Sequence, residues 1–117
     1  MNILVTNNPL VQARYQNAYS VKMLDTDLQG VLTVVRDLTH KGHCLLTHPL
    51  SGSIKPNDSP YKSVLMSDTR GDADTQSISI IEECILTMQK FPVKIIHEQN
   101  LYDLQMIDLT LIDSALK

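Results

Sequence analysis

The sequence has no tryptophan, one phenylalanine (Phe91) and two cysteines among 117 residues. With aromatics this scarce, a core has to be assembled mainly from Leu, Ile, Val and Met. Two cysteines are too few for a disulfide framework. Cys44 and Cys84 each stand among aliphatic neighbours and read as buried free thiols. No apolar stretch approaches the ~20 residues that cross a bilayer. The opening Met1-Asn2-Ile3-Leu4-Val5-Thr6-Asn7-Asn8-Pro9 lacks the basic start and long apolar run of a signal peptide, so a cytoplasmic protein is expected. An excess of basic charge is also missing. Net charge is −3 and the pI about 5.7, which argues against nucleic acid as a partner.

What is present is the composition of one globular domain spanning 1–117, with 43% apolar and 20% charged residues. The charge is uneven. Residues 1–62 carry six Lys/Arg against four Asp/Glu, whereas 63–117 carry four against nine.

Ile3-Leu4-Val5 predicts a buried strand that runs into a helix, with Asn8 as N-cap and Pro9 in the first turn. A second strand is expected near residues 19–23. Thr26 or Asp27 then caps a helix whose apolar face is Leu28, Val31, Leu32, Val35 and Leu38, ending at His40-Lys41-Gly42. Cys44-Leu45-Leu46 is the expected third strand and Ser63-Val64-Leu65-Met66 the fourth. Between them, residues 47–62 hold three prolines, a glycine and three serines, which rule out regular structure. A polar loop at 67–74 precedes a helix at about 75–90. For the last part we expect a strand at Leu104-Gln105-Met106-Ile107, with Asp108 capping a final helix that carries Leu109, Ile112 and Leu116. A strand at Val93-Lys94-Ile95-Ile96 is the alternative.

This alternation predicts an α/β fold: a small single-domain three-layer sandwich, its mostly parallel sheet of four to five strands flanked by helices. Such sheets bind ligands beyond the C-terminal ends of their strands. The pattern places Thr6-Asn7-Asn8-Pro9, residues 47–62 and residues 67–74 on that one rim.

Two stretches resemble the GrdX family that accompanies glycine, sarcosine and betaine reductases. One is Thr6-Asn7-Asn8-Pro9-Leu10. The other is His40-Lys41-Gly42-His43-Cys44-Leu45-Leu46-Thr47-His48-Pro49-Leu50-Ser51-Gly52-Ser53-Ile54-Lys55-Pro56-Asn57, continuing to Pro60-Tyr61-Lys62-Ser63. Residues 64–117 resemble the family more loosely. The resemblance implies an accessory role in selenium-dependent amino-acid reduction in anaerobic bacteria, with reductase subunits as partners. It carries over no functional residue.

The residues themselves point to a small-anion site. Asn7 and Asn8 precede a helix N-terminus, where backbone N–H groups favour negative charge. Ser51-Gly52-Ser53 offers hydroxyls and open backbone, Lys55 and Lys62 add charge, and His48 adds a donor. A bland reading competes: Asn8 only caps, Ser51-Gly52-Ser53 only turns, and both lysines are solvated. P-loop and dinucleotide fingerprints are missing.

His40, His43, Cys44 and His48 crowd into nine positions, but a strand at 44–46 separates His40 from His48, so no metal site is expected. No cofactor is implied. A serine nucleophile near His48 lacks the Gly-x-Ser-x-Gly elbow and an orienting carboxylate. Asp68, Asp72 and Asp74 lack the alternation and closing Glu of a calcium loop, because Ser79 stands at the twelfth position. Three functions follow as expectations. The first is an accessory protein that binds a small anionic metabolite. The second is a small enzyme on a carboxylated or phosphorylated metabolite, with His48 as acid–base. The third is a docking partner of a reductase subunit. A homo-oligomer is compatible with all three.

Overall fold

The apolar run at the N-terminus forms strand β1 (Ile3–Thr6), and the other elements are arranged around it. Asn8 then caps helix α1 (Pro9–Tyr15), its Oδ1 accepting from Leu10 N at 3.0 Å, with Pro9 in the first turn where no N–H is needed. Strand β2 (Ser20–Met23) lies parallel to β1, with Leu4 opposite Val21. Helix α2 (Leu28–His40) starts at Asp27, whose side chain accepts from Gly30 N. It buries Leu28, Val31, Leu32 and Val35. The helix stops where Gly42 adopts a φ of 99°. A Cβ at that position would lie 2.1 Å from Gly71 O, so only glycine fits.

Strand β3 (Ser63–Met66) is followed by helix α3 (Thr75–Gln89), which Asp74 caps. A 3₁₀ turn at Glu98–Asn100 leads into helix α4 (Leu101–Leu116). This computed structural model describes residues 1–50, 55 and 57–116.

The sheet order is β2-β1-β3. Alternate residues of the strands face opposite sides. Val5, Val64 and Met66 pack with α2 and α3 around Leu32, Val35, Ile81 and Ile85. Leu4 and Leu65 pack with α1 and α4 around Val11, Leu109 and Ile112. Helices therefore cover both faces, as expected for an α/β sandwich.

The sheet itself departs from expectation. Among the described residues it has three strands rather than four to five, and it is mixed rather than mostly parallel, because β3 runs antiparallel to β1. The segment expected as a strand at 44–46 makes one isolated bridge, Leu45 with Met66. Side chains take its backbone donors: Cys44 N bonds Ser67 Oγ at 2.8 Å and Leu45 N bonds Ser77 Oγ at 3.0 Å. Only Leu46 N reaches the strand, at Leu65 O. Residues 104–107 are helical, not a strand, and residues 93–96 belong to no regular element. The spacing of Leu101, Leu104, Leu109, Ile112 and Leu116 continues one helical stripe through them. Asp108 is thus a buried mid-helix residue and not a cap.

The reversed strand changes the rim. Ser63 sits beside Thr6, and Met66 beside Ile3. Residues 57–62 therefore feed in at the Asn7–Asn8 end, while residues 67–74 leave from the opposite end. There Asp68 N bonds Asn2 Oδ1 and the Asp68 carboxylate pairs with the N-terminal ammonium at 3.2 Å. The expectation that all three polar segments share one rim is corrected accordingly.

Candidate functional site

At the Thr6 end of β1 the packing turns polar. Ser63 Oγ donates its only proton to Asp108 Oδ2 at 2.9 Å. The 2.7 Å bond between Thr6 and Ser63 must then be donated by Thr6. Thr6 Oγ1 accepts in turn from Asn8 N at 3.0 Å. The hydrogen bonds thus run in one direction, from Asn8 N–H through two hydroxyls to a carboxylate, an arrangement in which each bond polarises the next. Asn8 closes the ring: its Nδ2 donates to Asp108 Oδ2 at 3.0 Å and to Gln105 O at 2.9 Å. Thr6, Asn8, Ser63 and Asp108 are all buried, so the pairing is what makes their burial tolerable.

Asn7 fixes the incoming loop. Its Nδ2 donates to Thr26 O and Pro60 O, and its Oδ1 accepts from Lys62 N at 2.9 Å. Both asparagine amides therefore spend every N–H on the protein. The negative charge expected beside Asn8 is supplied by the chain's own Asp108.

Beside this network lies a recess bounded by the start of α2, the loop before β3, and α4. Leu28, Leu50, Ile107 and Leu111 make its apolar wall; Lys55, Lys62, Tyr61 and Asp108 supply its polar atoms. It encloses about 350 Å³ between atoms, part of it open to solvent, and has room for about one water. A neighbouring hollow is bordered by Thr47, His48, Lys62 and Asp108, so Lys62 and Asp108 are common to both.

Burial pushes the Lys62 ammonium below its ordinary pKa, and the charge of Asp108 pulls it part of the way back. Among the described residues no carboxylate comes within 4.0 Å of Lys62. Tyr61 Oη accepts from Gln105 Nε2 at 2.8 Å, which ties the loop to α4. Asn57, at φ 70°, donates to Met88 O and Phe91 O and so satisfies carbonyls at the end of α3.

The structure brings Asn7, Asn8, Lys55, Lys62 and His48 to the same end of the sheet. Lys55 is exposed at the recess mouth. His48 is exposed, and its Nδ1 accepts from Leu50 N at 3.1 Å, which places a neutral ring's proton on Nε2. Ser51, Gly52 and Ser53 lie outside the described residues. Among those described, no group of three or more His, Cys, Asp or Glu could hold a metal. His40 faces Glu82 at 3.6 Å, and His43 Nδ1 donates to Ser67 O. Cys44 and Cys84 are free thiols. No described helix is long and apolar enough to cross a membrane.

Asp108 is the residue that the sequence reading missed. A signal for it existed: four residues after Leu104 and four before Ile112, it is a charged side chain on an apolar stripe. Such a position demands buried partners, but nothing local says that they are Asn8 and Ser63.

No curated protein and no solved structure matches the chain. The family model described as GrdX-like protein matches residues 3–117, nearly the whole sequence. On that match, the chain belongs to the GrdX-like family.

Proposed function

We propose that this protein is an accessory component of glycine, sarcosine and betaine reductase metabolism that binds a small anionic metabolite at the recess beside Asn7 and Asn8. The family supports the metabolic setting. One observation carries the binding reading: the half-buried Lys62 side chain faces a hollow, with no carboxylate among the described residues within 4.0 Å of it. A partly buried cation without a close counter-charge gains by receiving an anion.

In this reading Lys62 is the inner counter-charge and Lys55 the outer one. Asn7 and Asn8 hold the walls in place through the bonds described above. His48 borders the adjoining hollow together with Lys62. Thermal denaturation in increasing acetate or phosphate tests the reading. An anion that binds the folded state raises the melting temperature by linkage, and Lys62→Met removes that rise. A flat response to every anion refutes it.

A second reading, docking of a reductase subunit, has its own support. Val93 and Ile95 are 83% and 95% exposed, apolar side chains of the kind that partner surfaces use. Co-purification with reductase subunits that fails for Val93→Asp/Ile95→Asp would sustain it, and co-purification indifferent to those changes would remove it.

A further inference from the structure

The segment between α3 and α4 has the makings of a strand but no strand to pair with. Val93, Ile95 and Ile96 are β-branched, and the sheet does not take them up. The backbone runs from Pro92 to His97 without a turn or bend, and His97 is extended at φ −68° and ψ 139°. Three contacts hold it in place. Asn57 Nδ2 donates to Phe91 O at 2.8 Å, Lys94 pairs with Asp58 at 2.8 Å, and Asn100 N donates to His97 O at 2.9 Å. Yet no described residue accepts from the N–H of Val93, Lys94, Ile95, Ile96 or His97. Val93 and Ile95 are also the most exposed large hydrophobic side chains among the described residues. The outer edge of β2 is different: exposed Lys22 stands on it, a charge that keeps a second strand away. In the 93–97 segment the one cation, Lys94, is paired with Asp58 of its own chain, so that protection is missing.

We propose that residues 93–97 pair with the same segment of a second copy of this chain, as two antiparallel strands related by a two-fold axis at Ile95. Each copy then supplies carbonyl acceptors for the other's free N–H groups. Charge and side-chain type select the register. Centred on Ile95, the pairing sets Ile95 against its own copy, Val93 against His97 on either side, and Lys94 against Ile96. Centred on Lys94, it would set two lysines face to face, which opposes pairing. Centred on Ile96, it would lay the strand against the 3₁₀ turn at Glu98–Asn100. With Lys94 compensated within its own chain, the strip adds no repulsion between copies. Pro92, which has no N–H, closes one end of the edge and the 3₁₀ turn closes the other. A two-fold pairing uses the edge up, so it stops at a dimer. This is independent of the anion reading. It differs from the docking reading in giving Val93 and Ile95 to a second copy instead of another protein.

Sedimentation equilibrium of the full chain over a range of concentrations tests this, with wild type expected to reach twice the 13.1 kDa of one chain. Ile95→Asp sets like charges opposite each other and should weaken self-association by about ten-fold or more. At a position 95% exposed it should leave the far-ultraviolet circular dichroism spectrum unchanged. Ile95→Cys should oxidise to a covalent dimer, because residues facing each other across antiparallel strands lie within disulfide range. Leu86→Cys, on α3 and 60% exposed, should cross-link no faster than wild type. Hydrogen exchange should find the amides of 93–97 protected in concentrated wild type and open in Ile95→Asp. A chain that stays monomeric at every concentration overturns the proposal. So does a dimer that Ile95→Asp leaves intact, or one in which the amides of 93–97 are unprotected. A chain that is monomeric alone and co-purifies with a reductase subunit overturns it as well and leaves the docking reading standing.

Discussion

The two faces of the sheet are held by different forces. Among the described residues, the α2–α3 face buries eleven in one apolar cluster that includes Leu32, Val35, Ile81 and Met88. The α1–α4 face buries five, and it compensates with polar bonds: Asn8 and Ser63 to Asp108, and Arg14 and Tyr15 to Asp113. Apolar contact is indifferent to direction, whereas these bonds fix how α4 sits on the sheet. The difference teaches where a binding site can form. The recess lies where the apolar core thins, between the start of α2 and the middle of α4, and its charged wall is an extension of the polar seam.

That contrast makes graded predictions. Ile81→Ala cuts into the large cluster, and about 2–5 kcal/mol of stability should be lost in chemical denaturation. Asp108→Ala leaves Ser63 and Asn8 without their shared acceptor and should cost about 1–3 kcal/mol. A loss exceeding that of Ile81→Ala would invert the comparison. Asn8→Ala removes both the α1 cap and the clamp on α4, and about 1–2 kcal/mol is expected. Arg14 meets Asp113 at 2.8 Å on a largely exposed side chain. Arg14→Ala should therefore cost less than about 1 kcal/mol, and the difference from wild type should shrink further in high salt.

The smallest effect is a slope with pH. Burial lowers the Lys62 pKa, so the folded protein gives up this proton at a lower pH than the unfolded chain does. Stability contributed by Lys62 is therefore weakest while it is charged in both states. It rises with pH across the window between its lowered folded value and the ordinary lysine value, and is flat above that. Tyr15, pushed up to about 12 by burial and by its bond to Asp113, has the opposite slope above the ordinary tyrosine value. Measuring wild type against Lys62→Met cancels the Tyr15 contribution. A difference that does not grow toward alkaline pH would mean that Lys62 is better solvated than its place in the recess implies.

Much of the local structure was legible beforehand. Asn8 and Asp27 cap the helices that their side chains announce, and Gly42 ends α2. The apolar stripe Leu28, Val31, Leu32 and Val35 is buried as its spacing requires. The strand at 44–46 failed because Ser67 and Ser77, more than twenty residues away, intercept its donors. The split of α4 into strand and helix failed because Asp108 resembles a cap when read locally. Within the site, Lys62 and Asn8 were visible as residue types, but their common neighbour Asp108 was not.

Capping and amphipathic spacing are settled within a few residues of chain, and the sequence alone determined those. Only the tertiary structure decided that β3 runs against β1, and hence that Ser63 stands beside Thr6 while residues 67–74 leave from the far end. The physical reason is separation along the chain. Asn8 and Asp108 are 100 residues apart and meet at 3.0 Å, and a contact of that kind exists only once both faces of the sheet have closed.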